Sequence, residues 1–240
     1  MINQTKDEIS GVIEGEIITA REQFKKRLPE ILITLIALAG GVVLYCFNLA
    51  SLLGLSIILF GALWNFFTES NRFFACVMAF FMCIITALVA GTMKVYGIAF
   101  LHLMFYLPTQ LIYYYENRKT DNSISHDKKL SDSAYIATVV CGWLMAFGLG
   151  IVLYKVGDPY YIIDAISSTL LIVSVFMQNG KYRVFYWVRL FACAFAGVTW
   201  LVISITSNFM IDSLILAILF FMYVVVDAIR FIKWSKEYKK

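Results

Sequence analysis

Residues 73–90 read FFACVMAFFMCIITALVA, eighteen side chains without a charge, bounded by Glu69-Ser70-Asn71-Arg72 on one side and Gly91 on the other. As an α-helix rising about 1.5 Å per residue, the stretch is about 27 Å long, close to the roughly 30 Å hydrocarbon core of a bilayer. A membrane β-strand would instead alternate polar and apolar residues over about ten positions. The stretch therefore predicts a transmembrane helix. Working outward from it, comparable apolar segments occupy 31–47, 51–68, 96–115, 134–154, 160–178, 184–206 and 209–232. Asn48, the polar run 116–133, Gly157-Asp158-Pro159, Asn179-Gly180 and Ser207-Asn208 punctuate them with turn-forming or charged chemistry. The expected class is an all-α integral membrane protein with about eight transmembrane helices. Composition agrees, because 61% hydrophobic and 15% charged residues would leave a soluble fold coated in apolar patches.

Charge placement sets the expected orientation. With the N-terminus inside, seventeen of the twenty Lys and Arg residues fall on the cytoplasmic side; Lys94 and Lys155 lie outside and Arg189 lies within a span. The positive-inside rule then puts both termini in the cytoplasm of a bacterial plasma membrane, with an even number of crossings. The net charge of +4 reports topology rather than a nucleic-acid partner, since the basic residues flank membrane ends.

Three regions are expected. Residues 1–30 carry Ile9, Val12, Ile13, Ile17, Ala20 and Phe24 at helical spacing among acids and bases, which predicts a cytoplasmic amphipathic segment rather than a cleaved signal peptide. Residues 31–234 form one transmembrane domain, and 235–240 a basic tail. Cys46, Cys76, Cys83, Cys141 and Cys193 all lie in spans without a CxxC spacing, and His102 and His126 lie far apart, so no metal site or disulfide is expected.

The spans group as one, three, one, three. Two triplets, 51–115 and 160–232, are joined by a linking helix at 134–154, so they begin on the same side of the membrane and form parallel repeats about an axis along its normal. A cavity between such repeats is where a solute would bind.

The motifs extend this reading. Tyr96-Gly97 followed by Phe105-Tyr106-Leu107-Pro108-Thr109-Gln110-Leu111-Ile112, then Tyr160-Tyr161-Ile162-Ile163-Asp164-Ala165 with Ser168-Thr169, and Lys181-Tyr182, resemble segments of the PnuC family, the bacterial facilitators of nicotinamide riboside uptake. The resemblance covers roughly residues 51–234. It implies a SWEET-like transporter, a small vitamin or nucleoside as substrate, a homo-oligomer in the lipid bilayer, and trapping of the imported solute by a separate intracellular kinase. Where nicotinamide riboside carriers show Trp-x-x-Trp-x-x-x-Asn, this chain has Tyr186, Arg189 and Cys193. Branches of the family associated with thiamine, riboflavin or deoxynucleosides are therefore alternatives.

A nucleoside-like solute needs rings to hold its base and polar groups for its hydroxyls. The candidate substrate-binding residues are Trp64, Tyr106, Tyr114 and Tyr186 as rings, and Asn65, Gln110, Asp164, Thr169 and Arg189 as polar partners. Gln110 ranks first, because an amide inside a span must find a partner in a bundle or cavity. Arg189 either snorkels or faces the cavity. Asp164 either attracts a cation or favours the start of its helix. Asp227 and Arg230 are expected to pair at i,i+3.

Enzymatic chemistry finds no footing: HExxH, GxSxG, a Cys/His pair and a GxxxxGK[ST] phosphate loop are all missing from the sequence, and no cofactor is expected. A competing reading is the substrate-binding subunit of an importer energised by a partner ATPase.

Overall fold

The computed structural model describes residues 27–68, 72–117, 128–208 and 210–238. The amphipathic segment expected at 1–30 therefore lies outside the described residues for all but its last few positions. The described residues are helical: α1 Arg27–Cys46, α2 Leu52–Phe67, α3 Arg72–Thr92, α4 Tyr96–Leu101, a π-helical turn His102–Tyr106, α5 Leu107–Asn117, α6 Asp132–Lys155, α7 Tyr161–Asn179, α8 Phe185–Thr206 and α9 Ile211–Tyr238. Among the described residues, six helices are long and apolar enough to cross a membrane, and Leu52–Phe67 and Tyr96–Ile112 are shorter apolar helices. Boundaries differ from expectation mainly at the ends. The first helix is already formed at Arg27, where the described residues begin, and α9 runs through the region expected as a tail as far as Tyr238.

Tight turns follow from backbone chemistry. Asn48, Lys94, Gly157, Lys181 and Asn208 adopt left-handed φ values of 55°, 61°, 80°, 57° and 56°. Past the first four, an amide reaches back five residues, as in Leu49 to Leu44 (2.8 Å), Val95 to Ala90 (2.9 Å), Asp158 to Leu153 (3.0 Å) and Tyr182 to Met177 (3.1 Å). These bonds satisfy carbonyls that a helix end leaves open. Glycine and asparagine suit this conformation, whereas Lys94 and Lys181 adopt it at a cost of about 1–2 kcal/mol each.

Helix α2 packs on α3 and α9, α4 on α3 and α7, and α7 on α6 and α8, while α8 packs on α9. The first helix rests on α2: Arg27 Nη2 donates to the Phe66 carbonyl at 2.8 Å, and Gly41 faces Ile58. Without water to drive association in lipid, close backbone approach is a main source of helix pairing. Gly54 and Gly61 provide it on α2, where an added methyl would meet Asp212 and Ile215 at one position and Leu219 and Tyr223 at the other. Tyr223 uses that closeness to donate its hydroxyl to the Gly61 carbonyl at 3.1 Å. Helix α6 is peripheral: 6% of its apolar window is buried against 61% for α7.

Candidate functional site

Between the middle of the bundle and its basal end, the end that carries Arg27 and Arg230, side chains from α2, α3, the π turn, α7, α8 and α9 line a cavity of about 30 Å³. Trp64, His102, Tyr106, Arg189, Phe220 and Tyr223 supply its rings and its charge, with Cys83 and Cys193 between them. That volume holds a water or two, since one water occupies about 10–15 Å³ on this measure.

Pro108 explains the position of two of the rings. It has no N–H to offer the carbonyl one turn back, and its ring would press on that carbonyl in a regular helix. The chain widens instead into the π turn His102–Tyr106, closed by the Leu107 amide donating to the His102 carbonyl. The widened turn stacks the His102 and Tyr106 rings with centroids 5.4 Å apart and planes 14° from parallel. His102 Nδ1 is tied to the Ile98 carbonyl at 2.8 Å, leaving the rest of the ring to the cavity.

Arg189 does not snorkel. It is buried, and its Nε lies 2.9 Å from Asp227 Oδ2. Its guanidinium carbon stands 5.6 Å from the ring centroid of Trp64 and 5.6 Å from that of Phe185, within cation–π range. Asp227 in turn has Arg230 at 3.9 Å, the i,i+3 pair expected from the sequence, and Arg230 reaches Glu30 of α1 at 3.9 Å and donates to the Asn65 carbonyl at 2.9 Å. The chain of charges ends at Arg27, 3.9 Å from Glu30. A buried charge needs such partners.

Of the candidates read from sequence, Trp64, Tyr106 and Arg189 come together in the cavity. Asn65 is buried one residue beyond Trp64, and its backbone carbonyl accepts from Arg230. Gln110 is buried one turn past Tyr106, and its carbonyl faces the Cys76 thiol at 3.9 Å. Tyr114 packs on Phe73 with centroids 6.0 Å apart, and Tyr186 on Phe185 at 5.3 Å. Thr169 is buried toward a separate hollow of about 320 Å³ between α6, α7 and α8, whose walls include Trp143, Leu170, Val173 and Phe191. That hollow is larger but predominantly apolar and fed by a peripheral helix, so the smaller, chemically richer cavity is the stronger candidate.

Asp164 sits at the opposite end. Its Oδ2 accepts the Gly97 amide at 2.7 Å and its Oδ1 accepts the Ser168 hydroxyl at 3.0 Å. Asp158 beside it accepts the Tyr96 amide at 2.9 Å and the Tyr160 amide at 2.7 Å. Both carboxylates therefore cap the first turn of α4, where helix amides are otherwise open.

His102, Phe220, Tyr223 and Asp227 complete the cavity and its charge pair without having been singled out as site residues. His102 had a usable signal, a titratable ring in a span one turn from Tyr106 and shortly before a proline. Phe220 and Tyr223 had none, being rings among many in an apolar helix.

Three comparisons bear on this arrangement. A family model described as nicotinamide mononucleotide transporter matches residues 51–236, from the turn before α2 into α9. Among solved structures, the chain is similar to a crystal structure of the vitamin B3 transporter PnuC, with a TM-score of 0.71 and 21% identity, over 89% of this chain and 95% of that one. At that identity the likeness speaks to the fold. No curated protein sequence matches.

Proposed function

We propose, given that this chain belongs to the nicotinamide mononucleotide transporter family and is a multi-pass membrane transporter, that it carries a nucleoside-like vitamin precursor into the cell by facilitated diffusion. The observation that supports this reading most is the convergence of six helical segments on one cavity with stacked rings and a paired arginine. Rings suit a planar base, and the guanidinium and phenol hydroxyls suit carbonyls and sugar oxygens.

The helix contacts support the one, three, one, three order. With α2, α3 and α4–α5 as one triplet and α7, α8 and α9 as the other, the first helix of each packs on the last helix of its counterpart: α2 on α9, and α7 on α4. That reciprocity is what a two-fold axis along the membrane normal produces. Rocking of the triplets about this axis would expose the cavity to either side, and the cavity must widen from its present volume to admit a nucleoside. The basal end faces the cytoplasm in this reading, as the clustered Lys and Arg residues favour. Nicotinamide riboside is the family prototype, with deoxynucleosides, thiamine and riboflavin as the alternative solutes for this chain; net uptake draws on a separate kinase, and homo-oligomers form in the bilayer.

Purified protein in liposomes tests the function. Uptake of labelled nucleosides or vitamins should run down the solute gradient without ATP, stop at equilibrium, and continue when proton and sodium gradients are dissipated. A requirement for a partner ATPase, or uptake that collapses with an ion gradient, overturns the facilitator reading. For orientation, a cysteine at the exposed position 155, the last of α6 before the turn that leads to Asp158, should react with an impermeant thiol reagent on intact cells and one at position 125 should not.

A further inference from the structure

The charge inside the cavity has a consequence for the solute, one that rests on the transport reading above and narrows it. Among the described residues that line the cavity, Arg189 alone carries a permanent charge; the other walls are apolar side chains, thiols, phenols and the imidazole of His102. The carboxylate that balances it, Asp227, stands behind it at 2.9 Å and is already shared with Arg230. Arg27, Glu30, Arg230, Asp227 and Arg189 form one chain of ion pairs, and the member of it that reaches the cavity wall is the cation Arg189.

The aromatic walls point the same way. A cationic ring would be held best over the face of a tryptophan or phenylalanine. In this cavity the guanidinium of Arg189 already lies 5.6 Å from the Trp64 centroid, with Phe185 outside the cavity lining at 5.6 Å as well, so the protein supplies its own cation to the tryptophan face. A second fixed cation would meet it in a water-poor interior where none of the described lining residues is a carboxylate that could offset the repulsion. The same guanidinium is a planar fork of donors, matched to oxygen acceptors held in a plane. The stacked His102 and Tyr106 rings provide a platform for a flat, uncharged ring.

We propose that Arg189 selects the solute by charge: the transported class is an uncharged heterocycle bearing ring carbonyls on a sugar or polyol, and solutes with a cationic ring are rejected. Asp227 acts as the positioning residue, fixing the guanidinium through Nε.

Uptake by purified protein in liposomes, measured for two sets of solutes, tests this. The uncharged set is thymidine, deoxycytidine and riboflavin; the cationic set is nicotinamide riboside and thiamine. The best uncharged solute should be carried at least tenfold better than either cation. Arg189→Gln combined with Asp227→Asn keeps a hydrogen-bonding pair while removing both charges, and should shrink that ratio at least tenfold, whereas Arg189→Lys should retain most of it. A purely structural role for the pair would lower uptake of every solute together and leave the ratio unchanged, and that result overturns the proposal. So does a wild-type protein that carries a cation as well as any uncharged solute. Failure to carry any member of either set, by a protein that remains folded, overturns the transport reading of this cavity and the charge selection with it.

Discussion

At the basal end of the bundle carboxylates meet guanidinium groups, whereas at the opposite end they meet backbone amides and hydroxyls. Glu30 and Asp227 are shared among Arg27, Arg189 and Arg230 across α1, α8 and α9, and three of those four contacts are as long as 3.9 Å. Asp158 and Asp164 instead hold the amides of Tyr96 and Gly97 at 2.9 and 2.7 Å. Long side chains can exchange partners as helices slide, while a carboxylate on a helix's first amides must let go altogether. The difference teaches where each kind of closure draws its strength: the basal end from charge neutralisation inside a low-dielectric bundle, the other from fixed geometry.

Breaking the basal chain should have the largest effect. Asp227→Ala leaves Arg189 without its 2.9 Å partner and deprives Arg230 of one carboxylate. Removing one member of a buried ion pair costs about 3–5 kcal/mol. The expected outcome is a large drop in the detergent melting temperature, partly recovered when Arg189→Gln is added. A single variant as stable as wild type would mean that the charge chain does not hold the basal end.

The opposite end is broken by shape. A methyl on Gly97 would lie 2.7–2.8 Å from the three carboxyl atoms of Asp164, which is held in place by Ser168 as well. Overpacking of this kind costs about 1–3 kcal/mol, so Gly97→Ala should lower the melting temperature less than Asp227→Ala. Gly91, at the end of α3, has nothing within 4 Å of an added methyl. Gly91→Ala should be neutral or slightly stabilising, because alanine loses less backbone freedom in a helix. Equal losses from both glycine variants would show that the carboxylate cap on α4 is not a tight fit.

The same contrast explains what could be read from the residues alone. The spans were legible because lipid leaves the backbone no alternative to helix over such lengths, and Asn48, Gly157 and Asn208 announce their turns. Lys94 and Lys181 adopt the same left-handed conformation without any such signal, since nothing in a lysine side chain favours it. Arg189 was conspicuous as a charge in a span, but Asp227 was matched only to its helical neighbour Arg230. Its shorter contact is with a residue on another helix, and sequence spacing carries no information about that. Gln110 drew attention as an amide in a span, yet the cavity sits one turn above it, where Pro108 reshapes the helix and turns His102 and Tyr106 inward. Thr169 and Asp164 share α7 but serve different neighbours, the peripheral α6 groove and the α4 cap, because the polar residues of one helix are divided among every element that packs on it.

The smallest effect should come from Ser51, which joins the two helices of the α2–α9 seam at the end away from the charge chain. Its hydroxyl accepts the Gly54 amide at 3.0 Å as the N-cap of α2, and donates toward Asp212 at 2.7 Å on α9. Losing an N-cap costs about 1 kcal/mol. Ser51 is exposed, however, so water can replace part of both interactions in Ser51→Ala. The expected loss is therefore about 1 kcal/mol or less, and Ser51→Thr, which keeps the hydroxyl, should recover most of it. Thermal melts of the two variants beside Gly97→Ala set the scale. If Ser51→Ala proves as damaging as Gly97→Ala, the seam at α2–α9 depends on a hydroxyl and not on the close approach that Gly54 and Gly61 allow, and the strength of that end would have to be assigned to capping rather than to fit.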